Sequence, residues 1–369
     1  MKKAWLPLVC DIMAAVLVLT SIWFFNYQIT QPGVPAAALQ ISRDGFETMQ
    51  IPSAPESGTG IFANADITPG MRNTENGGNE KLMQTNVKPD PQDWHIKFAD
   101  HFTDTVVSTD TSYTSPNLSI KLSYGSYDSH VLDTASEGKH KKYGTNISYV
   151  LADIYVGDIT CIQTAFAKDT YGVGYSEKLT DMSDRIKSVL AVNGDSYNNN
   201  RHQDNGTIIR NGVVYRARNT DMETCVLNWD GTMKIYQPGE LNIQQLIQDG
   251  AYQSWIFGPS LLDENGKAKT SFLSWDYIRQ SHPRTAIGYY EPGHYCLLVV
   301  DGRQKSSRGM FLDEMAGLFE RLGCQAAYNL DGGHCSFMTM KGNVASRPYK
   351  PEHKVPDGIF IMEDTQWKL

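Results

Sequence analysis

Three short clusters of acidic, polar and glycine residues each follow an apolar run of the chain. They are Asn193-Gly194-Asp195 after 188–192, Asp301-Gly302-Arg303 after 295–300, and Asp331-Gly332-Gly333 after 326–330. Catalytic groups are often displayed where strands of a rigid sheet end, and glycine lets a ligand approach the backbone. A single Asp-Gly or Asn-Gly is more often only a tight turn. Three clusters, with Arg284 nearby in sequence, favour a polar site.

The elements that would position these clusters are mostly strands. Apolar runs rich in β-formers predict strands at 147–154, 159–166, 188–192, 295–300 and 326–330. Within 207–214, Asn211-Gly212 predicts a hairpin. Apolar residues at helical spacing predict a helix over 310–322, ended by Gly323, with the serines at 306–307 as N-capping or first-turn residues. We therefore predict an α+β fold with a strand-rich mixed sheet and few helices.

Further segments accompany the three clusters in a fixed order along the chain. They are 206–212, Gly258-Pro259-Ser260-Leu261, Arg284-Thr285-Ala286-Ile287-Gly288, Arg308-Gly309-Met310, Glu314-Met315-Ala316 and Asn329-Leu330. Together with the clusters, these segments resemble the phosphodiester glycosidase family from about 147 to 361. Two places depart from the family pattern: His334-Cys335 stands where the family usually has Gly-Ser, and Ser196-Tyr197 where it often has an aromatic pair.

The resemblance implies hydrolysis of a glycosyl phosphodiester, whose sugar–oxygen bond breaks through an oxocarbenium-like transition state. The leaving phosphate needs charge neutralisation more than protonation, and the guanidinium fork matches phosphate oxygens. We expect Arg284 and Arg303 to hold the phosphate. Asp195 and Asp331 would activate water or stabilise the sugar cation. Asp301 is a further catalytic candidate that would orient an arginine.

Other residues of the implied site have two interpretations each. His334 is either a proton donor to the phosphate or a packing residue, and Cys335 next to it is better read as a buried thiol than as a nucleophile. His202 and Asp204 would bind a cation or the sugar, or belong to a solvated loop. Aromatic residues that would stack on sugar or simply fill the core are Trp229, Trp255, Trp275 and Tyr197. The expected substrate- or phosphate-binding residues are Asn193, Gly194, Asn329, Gly332, Gly333 and Ser307.

Charge and cysteine content restrict the partners. The net charge of −8 argues against nucleic acid, which requires clustered positive charge. A carbohydrate phosphodiester needs only one or two placed arginines. None of the six cysteines forms a CxxC pair, so we expect buried thiols and no structural zinc. We expect no metal and no cofactor.

The N-terminal part predicts export. Lys2 and Lys3 precede a mostly apolar run over 4–25, close to the ~20 residues that span a bilayer, so 1–25 is predicted to be a signal anchor with a cytoplasmic N-terminus. The alanines at 36–38 leave cleavage open. Residues 26–100 are predicted to be a flexible linker, and 101–369 the extracytoplasmic catalytic domain.

Three functions remain open from the sequence alone. The first is a phosphodiester glycosidase that acts on cell-envelope polymers, such as exopolysaccharide, or on glycans. The second is a non-catalytic glycan-binding or envelope-assembly protein, motivated by His334-Cys335 and the linker. The third is a metal-dependent phosphodiesterase, which would need a carboxylate and histidine cluster that the sequence does not display.

Overall fold

A computed structural model describes residues 12–21, 33–36, 82–134, 143–198 and 205–363. The strands, numbered along the chain, are β1 Val34–Pro35, β2 Met83–Gln84, β3 Val107–Ser108, β4 Ser112–Thr114, β5 Leu118–Asp128, β6 Asn146–Val156, β7 Ile162–Phe166, β8 Thr170–Tyr171, β9 Glu177–Lys178, β10 Leu190–Asn193, β11 Ile208–Arg210, β12 Val213–Arg216, β13 Thr224–Asn228, β14 Met233–Tyr236, β15 Ala251–Trp255, β16 Arg284–Glu291, β17 His294–Val300, β18 Ala326–Asn329, β19 Met338–Met340, β20 Asn343–Val344, β21 Lys354–Val355 and β22 Asp357–Ile361. The helices are α1 at 12–21, α2 Trp94–Lys97, α3 Leu179–Ile186, α4 Ile243–Asp249, α5 Asp276–Arg279 and α6 Leu312–Leu322.

Two large sheets form the body of the protein. The seven-stranded sheet has the order β18-β16-β17-β6-β5-β4-β3, and the five-stranded sheet has the order β20-β19-β10-β22-β7. Their side chains share one core, which includes Ile154 and Leu297 from the first sheet and Val192 and Ile359 from the second. Because the strands are held by this buried packing, the loops at their ends are fixed relative to one another.

The strand-rich α+β fold with few helices is confirmed. Strands β6, β10, β17 and β18 fall on the predicted apolar runs, and β17 lies inside the seven-stranded sheet. The strand directions differ from the predicted mixed sheet, because every named strand pair in the described ranges is antiparallel. Short connections, such as the two residues between β16 and β17, can join only antiparallel neighbours.

Two local predictions are confirmed by backbone angles. Asn211 has φ 50° and Gly212 has φ 76°, and they connect β11 to β12. Hairpin turns of this kind need two left-handed residues, which Asn-Gly supplies. Gly323 has φ 81° and caps α6, a conformation that glycine adopts without a Cβ clash.

The predicted start of α6 is wrong. The helix begins at Leu312 with Phe311 as its N-cap, so the serines at 306–307 lie before the first turn. Met310 takes part in an isolated antiparallel bridge, which keeps the chain extended up to that point. The capping contact comes from Glu314, whose Oε2 accepts a hydrogen bond from the Phe311 amide at 2.9 Å.

The predicted linker boundary at residue 100 is also wrong. Strand β2 pairs with β12, and the Thr85 hydroxyl donates to the Ala251 carbonyl at 2.6 Å. Trp94 is only 4% exposed and belongs to the main core. Residues 82–100 therefore pack against the body, since these contacts satisfy polar groups and bury apolar area.

The predicted anchor lies mostly outside the described residues. Residues 12–21 form α1, and among the residues that the structure covers no helix is both long and apolar enough to cross a membrane. The same ranges contain five free cysteines, of which four are buried and Cys335 is partly buried, in agreement with the predicted buried thiols.

Candidate active site

The ends of both large sheets meet at Asn193, the last residue of β10. Its side-chain Oδ1 accepts hydrogen bonds from the Thr285 hydroxyl at 2.7 Å and from the Phe337 amide at 3.2 Å. Thr285 belongs to β16 of the seven-stranded sheet, beside Arg284. In that sheet Arg284 pairs with Val300, so the start of β16 and the end of β17 share one edge. Asn193 therefore fixes the two sheet edges to each other.

Asp331 is held at this junction by its backbone and by its neighbours. The Asn193 side-chain amide donates to the Asp331 carbonyl at 2.7 Å, and the Asp331 amide donates to the Gly194 carbonyl at 3.2 Å. Its Oδ1 accepts the Gly332 amide at 2.9 Å. Burial raises the pKa of Asp331 to about 6, while a hydrogen bond from the Cys335 thiol opposes the rise. Asp331 remains partly exposed, so its carboxylate can meet a ligand.

Arg303 lies against the segment 331–333 and has an unusual backbone conformation. Its φ of 57° is left-handed, a region that residues other than glycine occupy at a cost of about 1–3 kcal/mol. Its Nη1 donates to the Tyr349 hydroxyl at 2.8 Å, and its Nη2 donates to Nδ1 of His282 at 3.3 Å. A Cβ added at Gly333 would lie 3.2 Å from Nη2. Glycine at 333 thus permits the guanidinium to approach the backbone.

Several buried polar atoms around this segment have no hydrogen-bond partner among the described residues. They include Nε of Arg303, Oγ of Ser336 and Oδ1 of Asp357. A Cβ added at Gly332 would lie 3.9 Å from the Ser336 oxygen, and one added at Gly194 would lie 2.8 Å from the Asp357 oxygen. Buried polar groups in folded proteins almost always have a partner. Unpaired atoms around one glycine-lined segment indicate a place where a polar ligand or water binds.

Asp195, in contrast, is enclosed by the protein. Its carboxylate accepts the backbone amides of Ile256 at 2.6 Å and Phe257 at 2.9 Å, and its side chain is fully buried. Arg210 lies 3.8 Å away but is bonded at 2.6 Å to Asp357. Burial raises the pKa of Asp195 to about 7, with Arg210 opposing the rise and Asp357 adding to it. The predicted catalytic role of Asp195 stays a prediction, but both oxygens already have partners.

Arg284 and Asn329 are also engaged with the backbone. Nε of Arg284 donates to the Met310 carbonyl at 3.0 Å, and Nη2 donates to the carbonyls of Ile278 at 2.6 Å and Gln280 at 2.7 Å. Burial, followed by the charge of Arg303, lowers the pKa of Arg284 to about 9. The Asn329 amide donates to the carbonyl of residue 258 at 2.6 Å. These contacts position the loops around the site and engage Nε and Nη2 of Arg284, a side chain that we expected to hold phosphate, with backbone carbonyls.

Asp301 and Ser307 form a separate polar group beside β6. The Asp301 carboxylate accepts the Ser148 hydroxyl at 2.8 Å and the Arg347 amide at 2.7 Å, and burial raises its pKa. Ser307 donates to the Asp301 carbonyl at 2.7 Å and accepts the Ser148 amide at 3.0 Å. Asp301, Ser148 and Arg347 border a cavity of about 110 Å³. The structure thus places the Asp301 and Ser307 side chains in a network of their own.

His334 and Cys335 have different partners, although they lie in a 3₁₀ turn over Gly333–Cys335 and not in the extended chain that the sequence suggested. The His334 Nε2 donates to the Pro351 carbonyl at 2.8 Å, and its ring stacks on His353 at a centroid distance of 4.7 Å. The Cys335 thiol donates a hydrogen bond to the Asp331 carboxylate, and burial raises the pKa of the thiol. The thiol therefore stays protonated at neutral pH and serves as a donor to the acid rather than as a nucleophile.

The other candidates fall outside the junction or outside the described chain. Trp229, Trp255 and Tyr197 are at most 3% exposed and pack in the core, while Trp275 is partly exposed. His202 and Asp204 lie outside the described residues. Within the described ranges, no group of three His, Cys, Asp or Glu side chains is placed to hold a metal ion.

Residues 187–362 match the family model described as phosphodiester glycosidase. Over these residues the chain is similar to the phosphodiester glycosidase family. All site residues named above, except the partners contributed by β6, fall within the matched range. The match confirms the resemblance seen in the sequence and supports a glycosidase-type function.

Individual relatives are more distant or uncharacterised. A prophage-derived uncharacterized protein of Bacillus subtilis, YomE, is 34% identical over 193 residues, which is 51% of this chain and 29% of that protein. The chain therefore spans about three-tenths of that relative's length. The solved catalytic domain of zebrafish N-acetylglucosamine-1-phosphodiester α-N-acetylglucosaminidase, auto-inhibited by its pro-peptide, has TM-score 0.49 and 19% identity, covering 68% of this chain and 89% of that one. A hypothetical Synechocystis protein has TM-score 0.46 and 12% identity, covering 67% and 62%.

Sequence reasoning missed four residues of the candidate site. They are His282, Tyr349, Ser336 and Asp357. Asp357-Gly358 is a further acid-glycine pair, but it forms the start of strand β22 instead of following a strand. Because neighbouring strands are antiparallel, strand starts and strand ends share an edge. A search that treated both alike would have included Asp357.

Proposed function

We propose that this protein is an exported hydrolase that releases a sugar from a sugar-1-phosphate diester. The family match supports the glycosidase class. The observation that carries the finer proposal is Arg303, whose buried Nε has no partner and whose guanidinium lies against Gly333 beside Asp331. An incompletely bonded guanidinium next to a carboxylate matches a substrate that has a phosphate on one side and an anomeric carbon on the other.

Arg303 is the proposed phosphate ligand. Breaking the bond between the anomeric carbon and oxygen leaves the electron pair on a phosphate monoester. Arg303 would neutralise that charge as it develops, which is worth more in a partly buried site than in water. Tyr349 and His282 hold two of its nitrogens. Since arginine can only donate, His282 accepts through Nδ1 and carries its proton on Nε2, which donates to the Tyr277 carbonyl at 2.7 Å.

Asp331 is the proposed catalytic carboxylate. With a pKa of about 6, it is mostly ionised at neutral pH and still basic enough to take a proton from water. Water oxygen would then bond to the anomeric carbon while Asp331 receives the proton. Asn193 and Gly194, which bond to the Asp331 backbone, are positioning residues in this scheme. Asp195 and Arg284 support the surrounding loops.

The proposed location is the outer face of the cell membrane, and the proposed substrates are cell-envelope polymers or glycans. The support is the lysine pair and apolar run of 1–25. Protease added to intact cells should remove the domain, whereas protection of the domain until lysis would contradict export.

The decisive experiment incubates the full chain with α- and β-linked glycosyl-1-phosphate methyl diesters of several sugars in H₂¹⁸O. We expect free sugar and a methyl phosphate without ¹⁸O, because the sugar–oxygen bond breaks. Asp331→Ala should abolish release, and the fully exposed Asp276→Ala should not. Label in the phosphate, with loss of activity in chelator, would favour a metal-dependent phosphodiesterase instead. Polymer binding without turnover of any diester would favour a glycan-binding protein.

A further inference from the structure

A second cavity lies at the other end of β16 and β18. It has a volume of about 780 Å³ and is bordered by Tyr289 and Ala326. Arg284 and Asn329, at the opposite ends of the same two strands, border the candidate active site. Tyr289 lies five residue steps along the strand from Arg284, which corresponds to roughly 17 Å. The second cavity, called the distal cleft below, is therefore separate from the proposed site of hydrolysis.

The distal cleft has the volume and the chemistry of a polar small-molecule site. Its volume lies within the roughly 300–1,000 Å³ typical of ligand pockets. The side chains of Tyr236 and Tyr289 border it, and no described residue hydrogen-bonds to either hydroxyl. Burial raises the pKa of Tyr289 to about 12, so its hydroxyl remains a donor. The amides of Gln237 and Gln325 add further donors and acceptors at the border.

The charges around the cleft are mixed in sign. The lining includes two basic residues, Lys234 and Lys269, and three acidic residues, Glu240, Asp263 and Glu264. A site for phosphate or nucleic acid would instead concentrate positive charge. Tyrosine rings combined with amides and alternating charges favour an uncharged ligand that is rich in hydroxyl groups.

Three residues that border the cleft, Gln237, Ser260 and Lys269, are held by one buried carboxylate beside it. Glu223 is 1% exposed, and its Oε2 accepts the Ser260 amide at 2.8 Å. Its Oε1 accepts Lys269 Nζ at 2.7 Å and the Gln237 side-chain amide at 3.1 Å. A buried carboxylate with this many partners holds three segments in place. Binding would therefore cost little reorganisation of the protein.

An added peptide strand does not fit as well as a sugar. Strand β14 is an edge strand and borders the cleft, so strand addition is the obvious alternative. However, Cα atoms of β14 and β18 approach within 8 Å. An intervening strand would require about 9.6 Å, which is twice the ordinary strand spacing. The cavity must therefore be filled through side-chain contacts.

We propose that the distal cleft binds an uncharged segment of a glycan, with the Tyr236 and Tyr289 hydroxyls as donors to sugar oxygens. This binding goes beyond the proposed hydrolysis and does not depend on it. A glycan held about 17 Å from the active site would keep the enzyme attached to its polymer between cleavages.

The test uses the full chain and uncharged trisaccharides of glucose, galactose, mannose and N-acetylglucosamine, which contain no phosphodiester. Isothermal titration calorimetry and saturation-transfer NMR should detect binding of at least one of them. Tyr236→Phe and Tyr289→Phe should each weaken that binding about three- to tenfold, since each removes one hydrogen bond. Gln325→Trp, at an exposed position on the rim, should abolish it by filling the entrance.

Matched controls separate this site from the active site and from misfolding. Tyr127→Phe changes a tyrosine that is 39% exposed and outside the cleft, so it should leave binding unchanged. Asp331→Ala and added inorganic phosphate should also leave trisaccharide binding unchanged. Binding that none of the cleft variants weakens, or no binding of any trisaccharide by a chain with wild-type thermal stability, would overturn the proposal. So would tighter binding of an extended Val- and Thr-rich hexapeptide than of every sugar.

Discussion

Two arginines near the sheet junction lie in contrasting surroundings. Arg210 is 2% exposed, and each of its nitrogens donates to Asp357 or to the backbone carbonyls of Ile209 and Ser254. Arg303 is partly exposed and keeps its Nε unpaired. The first arginine is saturated with protein partners, so it stabilises the fold. The second has a donor left for a ligand, which makes it the better candidate for function.

The contrast predicts that Arg210 with its partner Asp357, called the closed group, governs stability. Arg303 with the neighbouring Asp331, called the open group, should govern turnover.

Asp357→Ala should lower the free energy of unfolding by about 3–5 kcal/mol, because it leaves Arg210 buried without its carboxylate. Urea unfolding followed by circular dichroism measures this loss. Asp276→Ala, at a fully exposed carboxylate, is the control and should change stability by less than about 0.5 kcal/mol. A loss below about 1 kcal/mol for Asp357→Ala would mean that the closed group is not a stabilising one.

Arg303→Ala should lower kcat/KM about 10²–10³-fold, the usual cost of removing one transition-state donor. Steady-state assays on a phosphodiester substrate measure the loss, and the unfolding midpoint should change little. Arg321→Ala, on the exposed face of α6, is the control. An Arg303→Ala protein with unchanged kcat/KM would remove Arg303 from the site.

The logarithm of kcat/KM should fall with a slope of about one per pH unit below pH 6. Asp331 must be ionised to act as a base, and burial raises its pKa to about 6. For stability the sign is opposite: a raised carboxyl pKa favours the folded state at low pH, and this contribution is lost as pH rises from about 4 to 6. A flat rate profile between pH 5 and 7 would contradict the assignment.

Cys335→Ala should move the acidic limb of that profile upward by about 0.4–1 pH unit, because it removes a hydrogen bond that lowers the pKa of Asp331. Cys335→Ser keeps a donor and should leave the limb near its original position. If both variants shift the limb equally, the thiol acts through packing and not through its proton.

The sequence allowed much of the fold to be predicted, because the apolar runs are long and strongly periodic. Strands β6 and β17 and helix α6 fall where the runs predict them. The start of α6 was misplaced because a local serine pair mimics a cap, whereas the bridge at Met310 depends on contacts distant in sequence.

The candidate site was harder to predict, because residue type does not reveal which donors are already used. Arg284 and Arg303 look equivalent in sequence, but backbone carbonyls surround the first. Asp195 and Asp331 also look equivalent in sequence, but the backbone amides of residues 256 and 257 donate to the carboxylate of Asp195. Those amides and carbonyls belong to segments that meet only after the sheets have assembled.

The short strand β2 has a practical consequence for preparing the protein. It covers the outer edge of β12, and the Thr85 hydroxyl fills the gap between the carbonyls of residues 212 and 251. A recombinant fragment that starts at residue 101 would lose this strand and present the unpaired backbone of β12 to other molecules. Exposed edges of that kind recruit further chains, so such a fragment should precipitate where one that starts before Met83 stays dispersed.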